Sequence, residues 1–351
     1  MKRVGVIGSG NWGTTAARLI AENVQHLNDF DNTVKMLVFD EKVHGESLVK
    51  IINTAHENVK YLPGYQLPET LVAYGNVRDV LKTCNYLVFV FPHQFLEETL
   101  KDMVGHVREG SVCISLIKGV TFLDGEIELV TDTIERMLHI KCGGLMGANI
   151  ANDIANRDYC ESTISFPADE NIAKDLQRVF NSEQFQVQII DDLVCQQLCG
   201  TLKNIVATAG GLVDGMGYGQ STKAAIMRRG FVECYEFAKW YYPNRGVKMG
   251  TMMESCGFAD IVASSYGGRN RKCAEFFVKT GKTFEECEKE LLNGQKLQGV
   301  LAAAEIYKVL KKRNAVKQFP LFAYIHLIDL MRVPPQAIFY SNGKYLDVDV
   351  E

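Results

Sequence analysis

The stretch that decides the fold is VGVIGSGNWGTTAARLI, residues 4–20. Four apolar residues, typical of a buried strand, lead into a glycine-rich turn, and a helix-forming run follows. The turn, Gly8-Ser-Gly10-Asn-Trp-Gly13, matches the pattern GxGxxG. Its first glycine permits a sharp turn, its second lets the backbone approach a phosphate, and its third lets helix and strand pack closely. Strand, turn and helix in this order predict a dinucleotide-binding unit.

Two acidic residues, Asp40 and Glu41, follow the next apolar run. A carboxylate at this place accepts hydrogen bonds from the adenosine ribose and repels a 2′-phosphate, so the sequence favours NAD over NADP. The nearby charge of Lys42 weakens this preference. For either carboxylate alone, a solvated acidic turn is a competing interpretation.

The first half of the chain alternates short apolar runs with helical stretches. A helix is predicted over Thr14–Glu22. Strands are predicted over Val4–Ile7, Val34–Phe39, Tyr86–Phe91, Val112–Leu116, Leu145–Met146, Thr163–Phe166 and Gln186–Ile190. Because strands alternate with helices and several runs are apolar throughout, we predict a mostly parallel α/β sheet that is covered on both faces.

After about residue 190, helical periodicity replaces the strand-like runs. One apolar face of the first predicted helix carries Leu198, Leu202, Ile205 and Ala209. Further helices are predicted over Thr222–Tyr242, Phe284–Leu292 and Leu301–Lys312. We therefore predict two domains: residues 1–190 with the sheet, and residues 191–351 with helices only.

The composition excludes several classes of protein. With 47% hydrophobic and 23% charged residues, a net charge of −4 and no basic block, the chain is not expected to bind nucleic acid. No apolar run reaches the ~18 residues of a membrane span, and no targeting pattern is visible, so we expect a cytoplasmic protein. Cys195 and Cys199 share a helix face; we expect buried thiols there and no metal site.

Hydride transfer to a carbonyl requires a group that donates or accepts the hydroxyl proton, and three residues are candidates. His93 and Lys118 follow predicted strands, whose carboxyl ends line the ligand crevice of such sheets. Lys203 lies beside the apolar face of a predicted helix, where a solvated lysine is the better interpretation from spacing alone. Near His93, Phe95 is equally consistent with packing on a nicotinamide ring and with anchoring a loop.

Two later segments strengthen the case for Lys203. The stretch 210–219 is dense in glycine, which suggests close approach of the backbone. The segment YGGRNRK, residues 266–272, combines a Gly-Gly turn with Arg269 and Asn270, and a forked guanidinium beside flexible backbone amides suits a phosphate. An exposed basic turn is the alternative interpretation.

Together these segments resemble the NAD-dependent glycerol-3-phosphate dehydrogenases of the eukaryotic cytosolic type. The shared motifs run nearly end to end in family order: GSGNWGT from Gly8, INTAHENVKYLPG from Ile52, FPHQF from Phe91, SLIKGV from Ser115, LMGANIA from Leu145, CGTLKNIVA from Cys199, ESCGFAD from Glu254, YGGRNRK from Tyr266 and ELLNGQKLQG from Glu290. The chain departs from the family pattern at Ser264, where relatives commonly have Thr, in residues 241–248 and after about residue 333.

The resemblance implies a Rossmann domain followed by a helical domain, usually in a homodimer. It implies interconversion of dihydroxyacetone phosphate and sn-glycerol 3-phosphate with NADH and NAD⁺, in carbohydrate and glycerolipid metabolism. The implied proton donor is Lys203. The implied NAD contacts are Gly8, Ser9, Gly10, Asn11, Trp12, Gly13, Phe39, Phe95, Ala151, Arg269, Lys296 and Gln298. The implied substrate contacts are Lys118, Asn204, Asp260, Ser264, Arg269 and Asn270, with Asn149 in the same neighbourhood.

The sequence leaves some alternatives open. A lysine with the ordinary pKa of ~10.4 must be well placed, or have a lowered pKa, to donate a proton. Burial, Lys118 and Arg269 would lower the pKa of Lys203, whereas Asp260 would raise it. Two other functions also remain: a related dehydrogenase for a hydroxyacid or sugar acid, and a regulatory protein that senses NADH without efficient catalysis. The intact set of implied catalytic and substrate residues argues against the latter.

Overall fold

The computed structural model describes residues 1–292 and 294–346. The chain divides into two compact units. The first comprises residues 1–121 and 128–193, and the second comprises residues 122–127 together with the chain from residue 194 onward. The sequence predicted one division near residue 190. No pattern indicated that residues 122–127, the tip of a hairpin, group with the second unit.

The first unit is built on an eight-stranded sheet and two short hairpins. In chain order the strands are β1 (Val4–Ile7), β2 (Val34–Leu37), β3 (Lys42–Val43), β4 (Glu46–Ser47), β5 (Leu71–Tyr74), β6 (Tyr86–Phe89), β7 (Val112–Ser115), β8 (Val120–Leu123), β9 (Glu126–Leu129), β10 (Lys141–Ala148), β11 (Cys160–Ser165) and β12 (Phe185–Ile190). The sheet order is β12-β11-β10-β7-β6-β1-β2-β5, and only the β10–β11 pair is antiparallel. The predicted mostly parallel sheet is confirmed, whereas β5 and both hairpins were missed.

Seven helices belong to this unit in the described residues: α1 (Asn11–Val24), α2 (Leu48–Ala55), α3 (Val77–Leu81), α4 (Leu96–Met103), α5 (Val130–Leu138), α6 (Ala151–Ala155) and α7 (Glu170–Phe180). They pack on both faces of the sheet. Along β6, Val88 joins one apolar cluster while Leu87 and Phe89 join the other. Side chains alternate between the faces of a strand, so a strand buried on both sides is apolar throughout.

The second unit is largely helical. Its helices are α8 (Leu193–Gly215), α9 (Gln220–Tyr241), α10 (Met249–Met253), α11 (Asp260–Gly267), α12 (Arg269–Thr280), α13 (Phe284–Leu292), α14 (Gln298–Lys312) and α15 (Pro320–Asp329). Between residues 194 and 346, leaving aside position 293, no strand interrupts them. The predicted apolar face of α8 is confirmed, since its four residues are fully buried.

None of the helices in the described ranges is long and apolar enough to cross a lipid bilayer. All ten cysteines lie in the described part of the chain, and none forms a disulfide. The sulfur atoms of Cys195 and Cys199 are 3.9 Å apart inside α8. Nowhere in the described residues do three or more His, Cys, Asp or Glu side chains cluster as metal ligands would.

The tip of the β8–β9 hairpin is held in the second unit by Glu126. Its carboxylate accepts hydrogen bonds from Lys312 Nζ at 2.6 Å, Tyr241 OH at 2.7 Å and Arg313 at 2.5 Å. Lys312 first, and then Tyr241 and Arg313, lower the pKa of Glu126 to about 2. The tip is thus fixed by a carboxylate that must be ionised.

We expect Glu126→Gln to lower the thermal midpoint of unfolding by about 1–3 °C at pH 7, because three partly exposed contacts contribute about 1 kcal/mol or less. The folded-state pKa lies below the unfolded value, so this stabilisation is complete above about pH 5 and is lost as the pH falls toward 2. The difference from wild type should therefore shrink at pH 4. In Glu170→Gln, which breaks the exposed pair with Lys174, the midpoint should barely change; an equal effect there would contradict the prediction.

Candidate active site

The glycine turn lies where the sheet reverses its strand order, because β1 pairs with β2 on one side and with β6 on the other. Gly8 has φ +123°, and a Cβ there would lie 2.2 Å from the carbonyl oxygen of Val90. A Cβ on Gly13 would lie 2.4 Å from the carbonyl oxygen of Gly8, whereas nothing lies within 4 Å of a Cβ on Gly10. Packing therefore requires the first and third glycines, and the space over the second is open.

The start of α1 suits the pyrophosphate of a dinucleotide. The residue before the helix, Gly10, has no side chain that could bond the first backbone N–H groups. A helix N-terminus of this kind attracts anions through those N–H groups and through the helix dipole. The residues present thus fit the phosphate part of NAD. The side chain of Trp12, an implied NAD contact, packs edge-on against Phe185, with ring centroids 6.4 Å apart.

Residues around the turn supply two exposed aromatic rings and two carboxylates. Phe39 follows β2 and is 84% exposed, and Phe95 follows β6 and is 54% exposed. Asp40 accepts hydrogen bonds from Ser47 Oγ at 2.7 Å and from the backbone N–H of Val49 at 3.3 Å. Both rings can therefore contact a flat ligand, and Asp40 already fixes the start of α2.

The second carboxylate, Glu41, is also paired. It accepts a hydrogen bond from Tyr61 OH at 2.8 Å and forms an ion pair with Lys60. Lys60 first, and then Tyr61, lower the pKa of Glu41. Hydrogen bonds therefore order both carboxylates, and Asp40 is at the same time exposed to solvent.

Lys118 and Asn149 meet at the carboxyl end of the sheet in the first unit. The ammonium of Lys118 donates to Gly147 O at 3.0 Å and to Asn149 Oδ1 at 3.1 Å, and Asn149 donates to Ser162 Oγ at 3.0 Å. Ala151, an implied NAD contact, is the buried first residue of α6. The sequence predicted this neighbourhood for Lys118 and Asn149.

His93 packs against the backbone next to Lys118. A Cβ on Gly119 would lie 2.6 Å from the imidazole ring, so only glycine permits this contact. Burial lowers the pKa of His93, which favours the neutral ring at neutral pH. Of the three proton-donor candidates, His93 thus has a clear packing role.

In the second unit, Lys203 is buried, with 7% of its surface exposed. Its Nζ lies 2.5 Å from Asp260 Oδ1 and 2.6 Å from Ser264 Oγ. Asp260 and Ser264 are four residues apart on α11, so they face the same direction. The interpretation of Lys203 as a solvated lysine is wrong, because α8 is buried on the side of this residue as well as on its apolar face.

Two asparagines form a second contact near this cluster. Asn270 donates to Asn204 Oδ1 at 3.0 Å and accepts from the backbone N–H of Gly299 at 2.9 Å. A Cβ on Gly299 would lie 2.2 Å from Thr208 Oγ1, so glycine allows α14 to approach α8 closely. The structure therefore brings together two sets of implied site residues. One set is Asn204 and Asn270, and the other is Lys203, Asp260 and Ser264.

The remaining implied contacts lie at the start of α12 and around the start of α14. Arg269 donates to Gln295 Oε1 at 2.7 Å. Lys296 pairs with Glu288 at 2.9 Å, and the same carboxylate accepts the backbone N–H of Leu297 at 2.8 Å. Gln298 is the first residue of α14.

Sequence reasoning missed Gln295 and Glu288. Gln295 lies inside a quoted family motif and could have been found there. Glu288 is one of four glutamates in FEECEKELL, and its side chain is almost wholly buried. No local pattern distinguishes it from its neighbours.

Comparison with known proteins identifies the family. Residues 3–173 match the family model described as the NAD-dependent glycerol-3-phosphate dehydrogenase N-terminus, and residues 192–340 match the model of the C-terminus. The chain is 48% identical over 328 residues to the glycerol-3-phosphate dehydrogenase 1-like protein of Danio rerio, covering 93% of each chain. It is 44% identical over 349 residues to the cytoplasmic NAD(+) glycerol-3-phosphate dehydrogenase of Drosophila melanogaster, covering 98% of this chain and 95% of that one.

A solved structure agrees with these matches. The glycerol-3-phosphate dehydrogenase of Saccharomyces cerevisiae superposes with a TM-score of 0.91 at 38% identity, covering 99% of each chain. Two family models span most of the chain, and relatives well above 30% identity cover nearly all of it. The chain belongs to the family of NAD-dependent glycerol-3-phosphate dehydrogenases.

Proposed function

We propose that this NAD-dependent enzyme interconverts dihydroxyacetone phosphate and sn-glycerol 3-phosphate, with Lys203 as the proton donor. The single observation that carries the proposal is the buried contact of Lys203 with Asp260 and Ser264. A buried amine held by a carboxylate and a hydroxyl points in one direction, which is what proton transfer to a forming alkoxide requires. When bound, NADH supplies the hydride for the carbonyl carbon.

In the reducing direction, Lys203 donates a proton to the former carbonyl oxygen of the substrate. Solvent then reprotonates Lys203. In the oxidising direction, the neutral amine accepts the hydroxyl proton. Asp260 stabilises the ammonium form, and Ser264, whose Oγ is 3.4 Å from Asp260 Oδ1, fixes the geometry of the pair. Both contacts of Ser264 are made by its hydroxyl, which a threonine at this position would also have.

The substrate phosphate is proposed to bind at Arg269 and Asn270. These are the first two residues of α12, a helix of 12 residues that begins without a side-chain cap. Its N-terminus adds backbone N–H groups and a positive dipole end to the guanidinium. Asn204 supports this site through its bond to Asn270, and Lys118 is proposed to contact the substrate from the first unit.

The cofactor is proposed to bind through two sets of residues. In the first unit these are the turn Gly8–Gly13, Phe39, Phe95 and Ala151, supported by the open space over Gly10. In the second unit they are Arg269, Lys296 and Gln298. This division makes residues 1–190 the proposed NAD-binding domain and residues 191–351 the proposed substrate and catalytic domain.

We propose a cytoplasmic location and a homodimer. The location follows that of the cytoplasmic relative from Drosophila melanogaster. The dimer follows from the family resemblance, and light scattering of the purified protein tests it directly.

The decisive experiment is NADH oxidation with dihydroxyacetone phosphate, measured beside glyceraldehyde 3-phosphate and pyruvate. We expect turnover with dihydroxyacetone phosphate and little with the other two compounds. The proposed site combines a phosphate-binding pair, Arg269 and Asn270, with Lys203 as a proton donor for a ketone. Turnover with a carboxylate substrate alone would favour the hydroxyacid dehydrogenase instead. Tight NADH binding without turnover on any of them would favour the regulatory protein.

A further inference from the structure

The motif INTAHENVKYLPG, residues 52–64, contains a buried asparagine to which the proposed reaction gives no role. Asn58 is 0% exposed. Its amide nitrogen donates to Ser9 O at 3.0 Å and to Thr14 Oγ1 at 2.8 Å, and its oxygen accepts the backbone N–H of Tyr61 at 3.1 Å. A side-chain amide in an apolar interior is retained only where its bonds are made, so these contacts specify the position of the segment.

The bond to Ser9 O fixes one peptide group of the glycine turn. The hydroxyl of Thr14 donates to the same oxygen at 2.9 Å, so two buried donors hold this carbonyl from the interior. In a planar trans peptide the carbonyl and the following N–H point in opposite directions, and the chain contains no cis peptide in its described residues. The N–H of Gly10 therefore points away from Asn58, toward the open space over the turn.

We propose that Asn58 is a positioning residue for the cofactor: by holding Ser9 O, it directs the backbone N–H of Gly10 at the pyrophosphate of NAD. The inference rests on the proposed function insofar as the turn is taken to be the NAD site. Asn58 does not touch the cofactor and acts through the Ser9–Gly10 peptide.

Residues 52–64 also contact Asn11 in the glycine turn and the carboxylate of Glu41. Tyr61 accepts a hydrogen bond from Asn11 Nδ2 through its carbonyl oxygen at 2.8 Å, and its hydroxyl donates to Glu41 at 2.8 Å. Asn58 holds the N–H of Tyr61. Loss of Asn58 therefore loosens the turn directly, and it loosens indirectly the carboxylate of Glu41 that is predicted to face the ribose.

The test compares Asn58→Ala with a matched control, Asn53→Ala. Asn53 lies in the same motif, and its amide bonds the backbone of Ala73 twice, at 2.9 Å and 2.8 Å, away from the turn. Both variants thus lose an amide that binds backbone groups in the same unit, with Asn53 exposed and Asn58 buried. Thr14→Val is a second variant, because it removes the hydroxyl bond to Ser9 O while keeping a side chain of similar shape.

The readouts are the dissociation constants of NADH and ADP-ribose from fluorescence quenching and competition, the thermal midpoint, and kcat at saturating NADH. We expect Asn58→Ala to weaken both ligands about tenfold, the effect of losing about one well-placed bond, with kcat within about twofold. Thr14→Val should weaken them about threefold by the same reasoning. Asn53→Ala should lower the thermal midpoint and leave both constants within about twofold, since its bonds do not reach the turn.

Unchanged binding in Asn58→Ala, or equal weakening in Asn53→Ala, would overturn the inference. If Asn58→Ala does not fold, Thr14→Val decides: wild-type affinity in that variant overturns the inference, and weakened affinity supports it. Failure of the wild-type protein to bind NADH would instead overturn the proposed cofactor site, and the inference with it. The wild-type measurement therefore separates the two failures.

Discussion

Replacing Lys203 with alanine is expected to lower kcat about 10²–10⁴-fold, the usual contribution of a positioned proton donor. The affinity for NADH should stay within about twofold, because Lys203 is not among the residues proposed to contact the cofactor. Steady-state NADH oxidation with dihydroxyacetone phosphate gives kcat, and fluorescence titration gives the affinity. Turnover within tenfold of wild type would remove Lys203 from the mechanism.

The control must separate lost chemistry from lost stability. Removing Lys203 takes away a cation that lies 2.5 Å from the buried Asp260, which is destabilising. The chain offers a matched residue, Lys223, which is 2% exposed and lies 2.7 Å from Asp214 in the same unit. Lys223→Ala should also lower the thermal midpoint, although less, because Arg271 keeps a bond to Asp214; its kcat should stay within about threefold.

A double variant adds a second check. Lys203→Ala with Asp260→Asn also removes the buried negative charge that Lys203 balances and should recover part of the lost stability. Its kcat should remain as low as that of Lys203→Ala. Recovery of turnover together with stability would mean that the single variant was inactive because it was poorly folded.

The glycine turn could be predicted from the sequence because its causes are local. Gly8 and Gly13 lie within six residues of each other, and the clash that excludes a side chain at Gly13 involves Gly8 itself. The apolar strand before the turn and the helix after it are equally local patterns. The parallel sheet followed from the alternation of such units, although β5 was missed while β2, with the same alternating burial, was predicted.

The environment of Lys203 could not be predicted in the same way. Periodicity identifies one buried face of a helix, but α8 is packed on further sides, and the partners of Lys203 lie 57 and 61 residues away. Asn58 shows the same limit, since it looks like an ordinary polar residue until its partners Ser9 and Thr14, 49 and 44 residues away, are known. Pairing across long separations, rather than the residue type, determines these parts of the site.

Arg269→Ala should weaken dihydroxyacetone phosphate, because it removes the cation that is proposed to bind the phosphate. A charge-assisted bond contributes about 1.5–3 kcal/mol, so we expect the KM to rise about 10–100-fold. The same loss should not occur with dihydroxyacetone, which has no phosphate: wild type and variant should both reduce it slowly and at similar kcat/KM. The comparison isolates the interaction between Arg269 and the substrate phosphate. One change removes the guanidinium from the protein and the other removes the phosphate from the substrate.

Lys272→Ala is the matched control for Arg269. It removes one exposed positive charge from the first turn of the same helix, three residues later, and its KM should stay within about twofold. Arg269 is also an implied NAD contact, so the NADH affinity of each variant must be measured before the KM values are compared. If Arg269→Ala lowered kcat/KM equally for both substrates, the guanidinium would act on the cofactor or on the shape of the site, and the phosphate would have to be bound elsewhere.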